Sequence, residues 1–61
     1  MPYVTVKMLE GRTDEQKRAL VKEVTEAVSR TVNAPAENVT VFIEEMPKNH
    51  YGVAGVLHSD K

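Results

Sequence analysis

Met1-Pro2-Tyr3-Val4-Thr5-Val6-Lys7-Met8-Leu9-Glu10-Gly11-Arg12 decides how the rest of the chain is read. Residues 3 to 9 alternate as a strand does, with Val4, Val6 and Met8 on one face and Tyr3, Thr5, Lys7 and Leu9 on the other. β-branched residues dominate its first half, which suits a pleated surface. Glu10-Gly11-Arg12 ends the run, because glycine accepts turn dihedrals. Thr13-Asp14-Glu15-Gln16 then opens a helix: Thr13 fits the N-cap and Gln16 completes a capping box. Asp14 and Glu15 put negative charge in the first turn, where the helix dipole favours it.

The helical period runs to about Asn33. Leu20, Val21, Val24, Ala27, Val28 and Val32 fall within an arc of roughly 140°, and Lys22, Glu26, Ser29 and Arg30 lie outside it. Asn33 suits a left-handed C-cap, and Pro35 prevents continuation. Val39 to Met46 reads as a second strand, apolar on both faces in its first half, which predicts cover on both sides. Pro47 to Gly52 is turn-rich, Val53 to Leu57 is a short apolar run suited to a hairpin arm, and the polar tail from His58 is expected to fray. A helix between two strands predicts a βαβ unit with parallel strands and a right-handed crossover. The class is α+β: a β-α-β protomer with a short C-terminal hairpin, forming a single domain over residues 1–61.

The chain has 61 residues, a length at which only roughly 60% of the unfolded surface is buried on folding. Disulfides, metals and oligomerisation are the usual supports of so small a core. There is no cysteine, and His50 and His58 have no partner at metal-ligand spacing, so neither a disulfide nor a structural metal is expected. Oligomerisation remains. A single helix covers one face of a two-stranded parallel sheet, and such a sheet is not expected to survive alone. The open face and edges are therefore expected to meet other copies of the chain. Net charge is −1 with mixed signs, which argues against nucleic acid. No apolar segment approaches the ~20 residues of a membrane span. No secretory signal precedes the first strand, so the expected location is cytoplasmic.

Three residues are candidates for chemistry. Aminopeptidases usually remove an initiator methionine that precedes a small residue. Without Met1, Pro2 would carry a free secondary amine able to act as a base; with Met1 attached, the same nitrogen is an amide. Arg12 stands just before a helix N-terminus, and its guanidinium can clamp a carboxylate with two prongs. Tyr51, in the Asn49-His50-Tyr51-Gly52 turn, can wall an apolar pocket. Ten residues of extended chain put Pro2 and Arg12 about 30 Å apart. They can share a substrate only if Pro2 of one copy approaches Arg12 of another. Glu44 and Glu45, adjacent on a strand, point to opposite faces and do not form a carboxylate pair.

Met1-Pro2, Leu9-Glu10-Gly11-Arg12, Asp14-Glu15-Gln16-Lys17, Ala34-Pro35, Ile43-Glu44-Glu45-Met46 and His50-Tyr51-Gly52, in this order and at these gaps, resemble the 4-oxalocrotonate (2-hydroxymuconate) tautomerase family over nearly the whole chain. The resemblance implies a cofactor-independent isomerase assembled as a homohexamer, a trimer of dimers. It implies that Pro2 is the general base that ketonises dienol or enol carboxylic acids such as 2-hydroxymuconate. It also implies that Arg12 of a neighbouring subunit binds a substrate carboxylate, and that Tyr51 stands where the family commonly has a phenylalanine. One position departs from the pattern. The best-known members carry a second arginine at the start of the second strand, and gap-free counting puts Thr40 there. The neutral hydroxyl makes monocarboxylate aryl enolpyruvates an alternative substrate class. Two further alternatives are a haloacrylate hydratase or dehalogenase, which would need a water-activating carboxylate beside Pro2, and a non-enzymatic oligomer that binds small acids.

Overall fold

The computed structural model describes residues 1–61. Strand β1 spans Tyr3–Leu9, helix α1 spans Asp14–Val32, and strand β2 spans Thr40–Met46. A short hairpin of β3 (Gly52–Val53) and β4 (Val56–Leu57) follows. Single 3-10 turns at Ala36–Asn38, Lys48–His50 and His58–Asp60 join and close these elements.

The helix starts and stops where its capping residues dictate. Thr13 Oγ1 accepts from the Gln16 N–H at 3.1 Å, and the Thr13 N–H donates to Gln16 Oε1 at 2.9 Å. This reciprocal box satisfies two of the free donors at the helix start. Asn33 closes the other end in the left-handed region, φ 58°, with its N–H donating to the Ser29 carbonyl. The second strand begins at Thr40 rather than Val39, because Val39 is held by the preceding turn: its N–H donates to the Ala36 carbonyl at 3.1 Å.

β1 and β2 pair in parallel from Tyr3↔Thr40 to Leu9↔Met46. The register sorts the sheet into two faces, since side chains alternate along each strand. Val4, Val6 and Met8 share one face with Val41, Ile43 and Glu45. Its apolar residues are half-buried, and Glu45 reaches the helix through Lys17. The other face carries Tyr3, Thr5, Lys7, Thr40, Phe42 and Glu44. Here the expected second cover for β2 is missing within the protomer: Phe42 is 52% exposed and Tyr3 66%. Their rings stack at 6.4 Å and 26° on this open face. Val32 also departs from the apolar arc. It is 58% exposed, since it ends the helix.

The hairpin turns through Ala54 (φ 54°) and Gly55 (φ 83°), the paired positive dihedrals of a tight strand connection. The C-terminal segment is held in part: the His58 N–H donates to the Tyr51 carbonyl at 2.7 Å, and a 3-10 turn continues to Asp60.

No residue of the protomer is buried, and the chain exposes 4755 Å². A globular chain of this mass exposes about 4,000 Å². The radius of gyration is 14.5 Å in a slab of 43 × 25 × 13 Å, against about 10.5 Å for a compact chain of this length. The extra surface is the uncovered sheet face and the projecting hairpin, where Val53, Val56 and Leu57 are exposed. No helix is long and apolar enough to cross a membrane.

Candidate active site

The ladder between β1 and β2 extends back to Pro2, whose carbonyl accepts the Thr40 N–H at 3.0 Å. This bond fixes Pro2 at the end of the sheet beside the first residue of β2. Pro2 is half-buried there, and Met1 projects into solvent. Where Met1 is attached, the Pro2 nitrogen is a tertiary amide without basicity.

Arg12 lies beyond the opposite end of β1. The turn that delivers it is set by Gly11, whose φ of 122° is strained for any side chain. The capping box follows directly, so Arg12 stands between two fixed points of backbone. Its guanidinium is exposed and makes no hydrogen bond or ion pair. Arg12, Met8, Gln16, Lys17 and Leu20 line an open concavity of about 200 Å³. The helix N-terminus adds little attraction for an anion, because Asp14 and Glu15 already occupy its first turn.

Lys17, though in the same concavity, is engaged elsewhere. Its Nζ donates to Glu45 Oε1 at 2.8 Å. That hydrogen bond pushes the Lys17 ammonium above its ordinary pKa, against the desolvation that lowers it, with the Glu45 and Asp14 charges adding to the rise. Lys7 sits 4.0 Å from Glu44 on the open face, with both side chains well exposed. The two glutamates thus serve different faces, as their adjacency on a strand requires.

Tyr51 lines a second concavity of about 220 Å³ with Lys7, Met8, Leu9 and Met46. Its ring meets that of His58 at 5.6 Å and 51°. Met8 borders both concavities, so Arg12 and Tyr51 belong to one end of the sheet. Pro2 and Thr40 belong to the other, separated from them by the seven-residue length of β1. Within one protomer the candidates therefore fall into two groups, one at each end of β1. Sequence reasoning did not find Lys17 or Gln16 as neighbours of Arg12, nor His58 as the partner of Tyr51. Lys17 and Glu45 are 28 residues apart, and no short-range pattern reports such a pair.

Comparisons with known proteins bear on the family and the fold. A family model described as "Tautomerase enzyme" matches residues 2–61. A protein of Bacillus subtilis named 2-hydroxymuconate tautomerase is 70% identical over 60 residues, covering 98% of this chain and 97% of that protein. Among solved structures, a homologue of 4-oxalocrotonate tautomerase superposes with a TM-score of 0.95 at 68% identity, covering 98% of each chain. A heterohexameric 4-oxalocrotonate tautomerase from Chloroflexus aurantiacus matches with a TM-score of 0.92 at 32% identity, covering 98% of this chain and 97% of that one. The parallel β-α-β protomer, its terminal hairpin and an alignment that spans almost the whole chain agree, and the chain belongs to the 4-oxalocrotonate tautomerase family of isomerases.

Proposed function

We propose that this tautomerase ketonises dienol or enol carboxylic acids such as 2-hydroxymuconate, with the amine of Pro2, freed of Met1, as the general base. The substrate carboxylate is held by Arg12 of a neighbouring copy, Tyr51 walls the apolar part of the site, and the reaction uses no cofactor. The observation that carries this reading is the division of the protomer into two half-sites. Pro2 stands at the start of β1, tied to Thr40, and an unpaired Arg12 stands beyond the far end of the same strand. An antiparallel meeting of two copies would bring one half of each together.

The chemistry follows from the groups present. A neutral secondary amine accepts the enol proton and returns it to a carbon of the conjugated system, giving the conjugated ketone. To serve as base it must be unprotonated, and half-burial with a guanidinium nearby both disfavour the charged amine. The rate is therefore expected to rise with pH through the pKa of the free Pro2 amine. That midpoint is expected to lie below the value of an exposed secondary amine. Arg12 supplies a two-pronged, charge-assisted grip on the carboxylate and so orients the carbon that receives the proton.

Assembly belongs to the same proposal. A protomer with no buried residue and about 800 Å² more surface than its mass predicts supports a homo-oligomer. A homohexamer built as a trimer of dimers in the cytoplasm, each chain a single tautomerase domain, is the form we propose.

A second reading concerns the substrate. Thr40 lies beside Pro2 and is neutral, while Lys7 and Lys17 each face a glutamate. Arg12 is then the one uncompensated cation among the candidate groups, which suits a monocarboxylate such as an aryl enolpyruvate.

The deciding experiment follows enol absorbance in the ultraviolet with Met1-free protein, Met1-retaining protein and protein alkylated at the Pro2 nitrogen. The free amine is expected to catalyse ketonisation, and both blocked forms are expected to lose it while remaining assembled. Normal rates from an assembled, blocked protein would overturn the role of Pro2.

A further inference from the structure

The segment that presents Arg12 is tied to β2 at both ends. At its start, the Glu10 N–H donates to the Met46 carbonyl at 3.0 Å. At its end, Lys17 Nζ donates to Glu45 Oε1 at 2.8 Å. Both ties land on adjacent residues of the last turn of pleat in β2. Between them lie Gly11 in its positive-φ conformation and the Thr13–Gln16 capping box, with Arg12 in the middle. The Lys17–Glu45 bond is the one side-chain hydrogen bond that joins α1 to the sheet. It also differs from the other ion pair of the chain. Lys17 and Glu45 side chains are 26% and 33% exposed at 2.8 Å, against 68% and 61% for Lys7 and Glu44 at the longer distance of 4.0 Å. A short, partly desolvated pair holds its geometry; a long, exposed one contributes little.

We propose that Lys17 and Glu45 are positioning residues for Arg12: their ion pair locks the first turn of α1 onto the end of β2 and so fixes where the guanidinium stands. This rests on the reading that Arg12 binds the substrate carboxylate. A two-pronged grip depends on the placement of the fork, and small displacements of a positioning group cost much of its effect. Lys17 itself does not reach for the substrate, because its charge is spent on Glu45.

The test uses the Met1-free enzyme and a carboxylate enol, either 2-hydroxymuconate or an aryl enolpyruvate. Glu45→Gln keeps the shape and an acceptor but removes the charge, and Lys17→Met removes the donor. Each is expected to raise KM about fivefold with kcat changed less than twofold, the coupling usual between groups of one network. In an Arg12→Ala background neither change should raise KM further. The exchanged pair, Lys17→Glu with Glu45→Lys, should recover most of the loss. Circular dichroism and sedimentation of each variant report whether fold and assembly are kept. An unchanged KM in the single variants, or an equal rise with and without Arg12, overturns the positioning role. So does a lowered KM in Glu45→Gln, which would assign the released Lys17 to the carboxylate directly. If Arg12→Ala alone leaves KM unchanged, the reading of Arg12 falls and the positioning role falls with it. If Arg12→Ala raises KM while the pair variants do not, only the positioning role falls.

Discussion

Phe42→Ala removes the one phenylalanine from the open sheet face without touching either half-site. In the protomer 52% of Phe42 is exposed. An aromatic side chain presents about 200 Å², so a neighbouring copy seated on this face would cover about 100 Å² of it. At about 25 cal/mol per Å² that contributes about 2.5 kcal/mol per copy. The stack on Tyr3 lies within one chain, so its loss affects free and assembled states alike and cancels. A twofold interface counts the residue twice, which makes about 5 kcal/mol. That weakens the pairwise dissociation constant by more than about a thousandfold. Sedimentation velocity across a dilution series reads the shift directly, and under the proposal that each site is shared by two chains the tautomerase assay should lose activity at the same concentrations. An unchanged dissociation midpoint in Phe42→Ala would refute the assignment of the open face to the interface. Dissociation without loss of activity would refute the shared site.

Two other substitutions address the site itself. Arg12→Ala deletes charge-assisted hydrogen bonds worth about 1.5–3 kcal/mol, so kcat/KM for a carboxylate enol should fall about ten- to a hundredfold. The helix signal in circular dichroism should stay unchanged, since Arg12 lies outside α1; unaltered kinetics would remove Arg12 from the site. Thr40→Arg keeps the backbone bond to Pro2 and adds a cation beside it. It should raise kcat/KM for the dicarboxylate relative to a monocarboxylate by about tenfold or more, given that a charged stabiliser is worth roughly 3 kcal/mol in a transition state. An unmoved ratio in a folded, assembled variant would put position 40 outside the substrate site.

The elements of this chain are written locally, and local physics explains why they could be read. Alternation over Tyr3 to Leu9, the Thr13–Gln16 box and the Asn33 stop each act within a few residues, and the structure holds all three. Pro2, Arg12 and Tyr51 can be named as candidate groups in the same way, because residue type and immediate chain neighbours are enough to nominate an amine, a guanidinium or an aromatic ring. Even the separation of Pro2 from Arg12 followed from strand length alone. What no local pattern could carry is where distant residues meet. The parallel register brings Thr40 against Pro2, and the path of the helix across the sheet brings Lys17 onto Glu45. The return of the hairpin sets His58 on Tyr51 and puts Tyr51 beside Leu9 and Met46. Within the protomer the cover expected on both faces of β2 exists on one only, since a single 19-residue helix can shield one side of two strands. Side-chain type and short spacing determine which groups are available and which face of an element is apolar. Contacts between residues tens of positions apart depend on how the elements pack, and only the tertiary structure decides them.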